Sequence, residues 1–330
     1  MKRFTVKPKV VAGKSLGIGG PSNDADHVLL GRLAEAGPLI PIVHDLSMEH
    51  VVAIVGKRGS GKSYTLGTFL EGLCTNPGKS PIGQVSGKRA AILFDTLGIF
   101  QWMDIPLSPK STQRIVRDQF MARNGWALTE TPELNVSIWV PQIDTSPAPQ
   151  PRHPKFTISY CDFTASDWGY LLGLDIYQDR MGQLLNDAYI KVTLEGWSDE
   201  NGRHQENPDY DINDLLECIR GDHELTDSYQ TETRRAVIQQ LSTYFRNPLF
   251  STHGTMLNDL LRCGMLSVLV MNKMSDELRF TLITTLIRRI MRSRIETSEL
   301  EKDKAIRGTN LHANTSLQTS VTETAIPPCW

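Results

Sequence analysis

A lysine and a serine closing an eight-residue glycine-rich turn carry the clearest chemistry in the chain. Gly56-Lys57-Arg58-Gly59-Ser60-Gly61-Lys62-Ser63 fits the pattern Gly-x4-Gly-Lys-Ser/Thr, the phosphate-binding loop. Glycines let successive backbone N–H groups face the α- and β-phosphates of a nucleotide. The helix that begins near Gly61 adds its positive dipole end. In that arrangement Lys62 reaches the β- and γ-phosphates, Ser63 ligates Mg²⁺, and Tyr64 closes the binding stretch 56–64. Lys57 and Arg58 either approach the γ-phosphate or a neighbour's nucleotide, or are exposed loop cations. An acid, Asp95, follows the apolar run Ala91-Ile92-Leu93-Phe94. It is placed to act catalytically on the Mg²⁺ water shell, or else to form a turn ahead of Gly98.

The loop works only if a strand and a helix aim it. Val51, Val52, Ile54 and Val55 before it predict a short strand; Leu66, Phe69, Leu70 and Leu73 after it predict an amphipathic helix. Further strands are expected at 90–94, 135–140 and 156–163, and a fully buried one at 265–271. Their alternation with helical patterns favours a parallel α/β sheet. Between 166 and 261 the pattern turns helical, in the stretches 166–174, 179–196, 211–219, 231–245 and 254–261. Asp276-Glu277 opens one more helix. Ahead of the loop, 28–46 suggests a small β element, whereas 1–25 is expected to be poorly ordered. The polar stretch 296–325 is expected to be mobile.

Composition narrows the function classes. Of 330 residues, 40% are hydrophobic and 22% charged, ordinary values for a soluble globular protein. No apolar run nears the roughly 18 residues of a membrane helix. Five cysteines lie scattered without CxxC spacing, as expected of reduced thiols in a cytoplasmic protein. With a net charge of −2, any nucleic-acid surface must be local.

Three nucleotide-binding classes compete for the loop. Asp95-Thr96-Leu97-Gly98 fits the Asp-x-x-Gly of GTPases, and Asn272-Lys273-Met274-Ser275 approaches their guanine-reading Asn-Lys-x-Asp. Guanine selection rests on a carboxylate at the last of those positions, where this chain has Ser275. A small kinase would use the same loop but needs a lid-like arginine pattern that is not apparent.

The succession of "HVVAIVGKRGSGKSYTLGTFLEGL", "AILFDTLGIF", "FTISYCDFTASDWGYLLGL" and "GTMLNDLLRCGMLSVLVMNKMSDELRFTLITTLIRRIMRSR" resembles the HerA branch of the HerA/FtsK-type ATPases, from about His50 to Trp330. "FDTLGIF" is similar to that family's Asp-Pro-x-Gly-Glu-Tyr, with Ile99 where the family has Glu. The resemblance implies an α/β fold: a RecA-like P-loop NTPase core with a helical insertion and a short N-terminal β element. It divides the chain into an N-terminal extension at 1–48, core at 49–163, insertion at 164–261, and core again at 262–330. It further implies ATP and Mg²⁺ as cofactors, a homo-oligomeric hexameric ring, and helicase or translocase work on DNA alongside a nuclease or effector protein, with no membrane. A nucleotide-dependent scaffold that activates an effector without moving DNA is the alternative.

The family's strand ending in Asp-Glu has no counterpart in these residues, as if the sequence stopped just before it. Nucleotide affinity with little turnover is therefore expected, along with exposed apolar surface around Val268 and Val270. Arg288, Arg289, Arg292 and Arg294 share one helix, either lining a DNA channel or contacting a neighbour, or as solvated cations near a helix C-terminus. Trp168, Tyr170, Tyr244 and Phe245 read as core rather than base-stacking platforms. His50 and His253 have no metal-ligand spacing.

Ser275 generates a direct test. In a competition assay ATP is expected to bind at least as tightly as GTP; a strong preference for GTP overturns the choice of family.

Overall fold

The computed structural model describes residues 9–11, 15–19, 26–32, 40–47, 50–74, 83–84, 89–121, 134–142 and 153–307. The elements up to the middle of the chain are β1 (Lys9–Val11), β2 (Ser15–Ile18), β3 (His27–Arg32), β4 (Pro41–Asp45), α1 (Lys62–Cys74), β5 (Gly83–Gln84), β6 (Ala91–Asp95), α2 (Arg114–Phe120) and β7 (Val136–Pro141). They continue with β8 (Lys155–Phe156), β9 (Ile158–Ser159), α3 (Ala165–Leu172), α4 (Arg180–Ile190), β10 (Trp197–Asp199) and β11 (Gly202–His204). The last are α5 (Ile212–Gly221), α6 (His223–Ser228), α7 (Thr231–Phe245), β12 (Phe250–Ser251), α8 (Leu257–Leu260), β13 (Leu266–Val270) and α9 (Asp276–Arg307). They fall into two compact units, one from the described part of 1–138 with Leu260–Val270, the other from Trp139–Asp259 with the described part of 271–326.

In the first unit β13 runs parallel to β6, pairing Leu266 with Ala91 through to Val270 with Asp95, and β7 lies on the other side of β13. All five residues of β13 are buried, as suits a parallel strand covered on both faces. Val268 and Val270, expected at an exposed surface, are instead in a core with Leu70, Cys74, Ala91, Leu93, Ile138 and Leu266. Cys74 acts there as a small apolar group: burial, with Glu71 adding to it, pushes its thiol up to about 12.

The opposite correction applies ahead of the phosphate loop. Residues 51–57 form no strand, Val51 is fully exposed and Val55 nearly so. Four β-branched residues supply strand propensity, but a strand exists only with a ladder partner, and that is a non-local matter. Order also appears where little is expected: β1 and β2 pair antiparallel, and β2 adds parallel to β4, giving a five-stranded sheet in the order β1-β2-β4-β3-β5.

The second unit has an aromatic centre. Tyr160, Trp168 and Phe250 stack and Phe163 packs tilted against Trp168 and Phe250, with centroids of the contacting rings 5.0–6.5 Å apart. Two of its polar groups are satisfied inside: Trp168 Nε1 donates to Tyr210 Oη at 2.8 Å, and that hydroxyl donates to the Phe163 carbonyl at 2.8 Å. The expected strand at 156–163 is two shorter strands and a 3-10 turn, and β9 pairs parallel with β12. Tyr170, expected in the core, is half exposed and lies against Phe280. Helix α9 continues to Arg307, so 296–307 is helical rather than loop, and Arg294 pairs with Glu301 at 3.2 Å.

One ion pair ties α9 to α3. Arg288 meets buried Asp167 with a two-pronged contact of 2.7 and 2.8 Å, while Asp167 also accepts from the N–H and hydroxyl of Thr164 as a capping box. Burial alone raises the Asp167 carboxyl, but Arg288 and Thr164 outweigh it and hold the group below its ordinary value. A depressed carboxylate contributes stability that is present above its unfolded pKa of about 3.9 and lost as pH falls through the folded value. Arg288→Ala is expected to lower the urea stability of the chain at pH 7 by roughly 1–2 kcal/mol, after discounting for the partly open guanidinium. The gap between wild type and variant should narrow below pH 4; a gap independent of pH contradicts the assignment.

Candidate functional site

Helix α1 positions the phosphate loop, and its packing explains its sequence. Leu70 and Cys74 point into the core of the parallel sheet, with Leu66 and Leu73 alongside. On its other side Gly72 abuts β3 so closely that a Cβ there would stand 2.7 Å from Val28 Cγ2. The helix is thus held between two sheets, and its first turn carries Lys62, Ser63 and Tyr64.

The loop has the shape of an anion cradle. Gly59 and Gly61 take φ of +78° and +86°, the left-handed region that side chains with a Cβ resist. Ser60 N–H donates to the Lys57 carbonyl at 3.2 Å, closing the turn, and Thr65 N–H donates to the Gly61 carbonyl at 2.9 Å as the helix starts. Lys62 Nζ reaches back across the loop to the carbonyls of Gly56 and Lys57, each at 2.9 Å. At Gly56 a Cβ would lie 2.4 Å from Ser60 Oγ, so a side chain there requires the Ser60 hydroxyl to move. Lys57, Arg58 and Tyr64 are exposed, with Ser63 partly buried at the helix start. These residues fit a Mg²⁺-bound nucleoside triphosphate: the ammonium sits at the loop mouth, the backbone turns on glycines, and a hydroxyl stands at the helix N-terminus.

Asp95 ends β6 and is 4% exposed. Its Oδ1 accepts from Gly98 N–H at 2.8 Å and Ile99 N–H at 3.1 Å, and its Oδ2 from Phe100 N–H at 2.8 Å. The carboxylate therefore organises the turn 96–100. Phe100 and Met103 pack against the core that holds α1, while Leu97 and Ile99 face outward.

Other residues singled out in the sequence have local roles. Ser275 Oγ accepts from Leu278 N–H at 3.3 Å at the start of α9, and Asp276 pairs with Arg279 at 2.7 Å. Arg289 contacts Asp162 at 3.1 Å and the Thr255 carbonyl at 3.3 Å. Among the described residues no group of three His, Cys, Asp or Glu could hold a metal ion, and no helix is long and apolar enough to cross a membrane. What sequence reasoning missed is the buried N-terminal pair His44 and Asp45: His44 lies edge-on to Phe69 of α1 at 5.3 Å, and Asp45 accepts from the Ser47 N–H at 2.8 Å. Only its position just ahead of the loop could have drawn attention to it.

A mixed α/β core with a parallel sheet and a glycine-built phosphate loop defines a P-loop nucleotide-binding protein of RecA-like class. The sequence matches the family described as Helicase HerA, central domain, over residues 28–290, and the chain belongs to that family. It is therefore of the HerA/FtsK type of P-loop ATPase. No curated protein matches the chain.

The contact between Gly56 and Ser60 gives the site's prediction. Gly56→Ala is expected to weaken ATP binding by about 1–3 kcal/mol, the usual range for overpacking. Adding Ser60→Ala, which removes the clashing hydroxyl, should restore part of it. Unchanged calorimetric affinity in Gly56→Ala would show that the loop opens without consequence for the ligand.

Proposed function

We propose that the chain is the ATP-binding motor of a homo-hexameric DNA translocase or helicase of the HerA kind, working with a nuclease or effector protein. The observation that carries this is Lys62 Nζ held across the glycine-built loop by two backbone carbonyls, in a chain belonging to the HerA central-domain family. On this reading residues 49–163 and 262–330 are the RecA-like core, 164–261 is a helical insertion, and 1–48 is an N-terminal extension.

The site's contribution follows from its parts. Lys62 exchanges its two carbonyl partners for phosphate oxygens, a stronger charge-assisted contact. Backbone N–H groups of 56–63 and the N-terminus of α1 neutralise the remaining phosphate charge. Ser63 would hold a bound Mg²⁺ through its hydroxyl, and the ion would supply positive charge to offset the charge that develops on the phosphates. Lys57 and Arg58, exposed on the rim, add positive charge on the approach side.

The scaffold alternative draws support from one observation: the three backbone bonds of Asp95 already engage the acid nearest in sequence pattern to a catalytic role. On that reading ATP drives assembly and effector activation without DNA movement.

Lys62→Ala is expected to remove nucleotide affinity, by about 1.5–3 kcal/mol or more, while the fold persists. ATP-dependent assembly, measured by light scattering, should disappear with it. Phosphate release stimulated by DNA in wild type and absent from Lys62→Ala selects the motor; ATP-driven assembly indifferent to DNA selects the scaffold. Undiminished affinity in a folded Lys62→Ala variant removes the site.

A further inference from the structure

We infer that Asp95 is a positioning residue of the nucleotide site: it fixes the turn 96–100 so that Phe100 braces helix α1 one turn beyond Ser63, and it does not serve the metal ion. The inference rests on the proposed nucleotide site and specifies how that site is held.

The geometry is a relay of short contacts. A carboxylate offers about four acceptor directions, and backbone N–H groups already occupy three of those on Asp95. At 4% exposure the carboxylate leaves scant room for a hydrated cation. The strand that carries it is fixed in turn, since Asp95 is in register with Val270 of β13. From there the chain turns at Gly98, with φ of +73°, and the third N–H bond delivers Phe100. Its ring faces the bare flank of Gly67, where a Cβ would lie 3.6 Å from Phe100 Cε1. Gly67 lies four residues past Ser63, one helical turn. The ring packs against the same core cluster that takes in Leu66 and Leu70. Loss of an Asp95 acceptor therefore releases a brace on the first turns of α1, the turns that set Lys62 and Ser63.

Asn at position 95 keeps one acceptor oxygen but turns an amide N–H toward one of the three backbone donors, so at least one bond fails. In Asp95→Asn, nucleotide affinity is expected to fall about tenfold, within the range of coupling between residues in contact. The fall should be the same in Mg²⁺ and in EDTA, with an unaltered Mg²⁺ concentration for half-maximal effect. Phe100→Leu should weaken binding in the same sense, and the double variant should be no weaker than Asp95→Asn alone. A ligand-free measurement separates this inference from the nucleotide reading: amide hydrogen exchange of the full chain should accelerate at 98–100 and at 62–68 together in either variant. Exchange that accelerates at 98–100 but not at 62–68 overturns the relay, even if nucleotide binds. An affinity loss confined to Mg²⁺-containing buffer also overturns it, by assigning Asp95 to the metal. If Asp95→Asn fails to fold, the exchange pattern of Phe100→Leu decides by the same criterion.

Discussion

Every atom of the nucleotide site inherits its position from the two-sided grip on α1. On one side Leu70 and Cys74 enter the core under β6 and β13; on the other, Gly72 lets Val28 of β3 approach to a separation that no larger residue allows. Because 51–57 has no ladder of its own, the phosphate loop is attached firmly only at its helical end. A glycine-rich loop is costly to hold in one conformation, since glycine gives up more freedom than any other residue. The rigidity that phosphate binding needs must therefore come through α1 rather than from the loop or the chain entering it.

The second unit solves a different problem, how to keep polar groups in an aromatic core. Trp168, Tyr210 and the Phe163 carbonyl form one donor-to-acceptor chain, so two large amphipathic side chains are buried without an orphaned hydrogen. Asp167 is tied by both Thr164 and Arg288. This recasts the arginine run on α9. Arg288 and Arg289 are engaged with carboxylates and Arg294 with Glu301, which leaves Arg292 as the exposed guanidinium of the four. A run that looks like a cationic stripe in sequence is, in three dimensions, mostly the means by which α9 is fastened.

Legibility of the sequence followed the range of the interactions. The loop and α1 were readable because their signals are local: glycines at fixed offsets, then apolar residues spaced three and four apart. The buried run of β13, the parallel sheet and the start of α9 at Asp276 were readable for the same reason. The strand status of 51–55 was not, because the same β-branched residues fit a paired strand or an exposed extended segment and only a partner decides. The expectation of exposed surface around Val268 and Val270 came from a strand thought to be missing, whereas α1 and the neighbouring strands β6 and β7 cover them. Helix α9 beyond residue 295 misled because its polar composition matches a loop, whereas its charges include an Arg294–Glu301 pair that supports the helix. At the site, Lys62 and the glycines could be named from the motif. The engagement of Asp95 could not, since the same acid before a glycine serves a metal shell or a turn.

The turn after β6 also explains how the chain tolerates its departure from the family pattern. All three bonds to Asp95 come from backbone N–H groups, of Gly98, Ile99 and Phe100, and none depends on what side chain stands at 99. Ile99 is about half exposed and points away from the core that Phe100 enters. The side chain at 99 can therefore change without disturbing the turn or the brace on α1, since neither uses it. The architecture of the segment and the chemistry of its surface are separable, one fixed by Asp95 and the backbone, the other free to change with the function the chain serves.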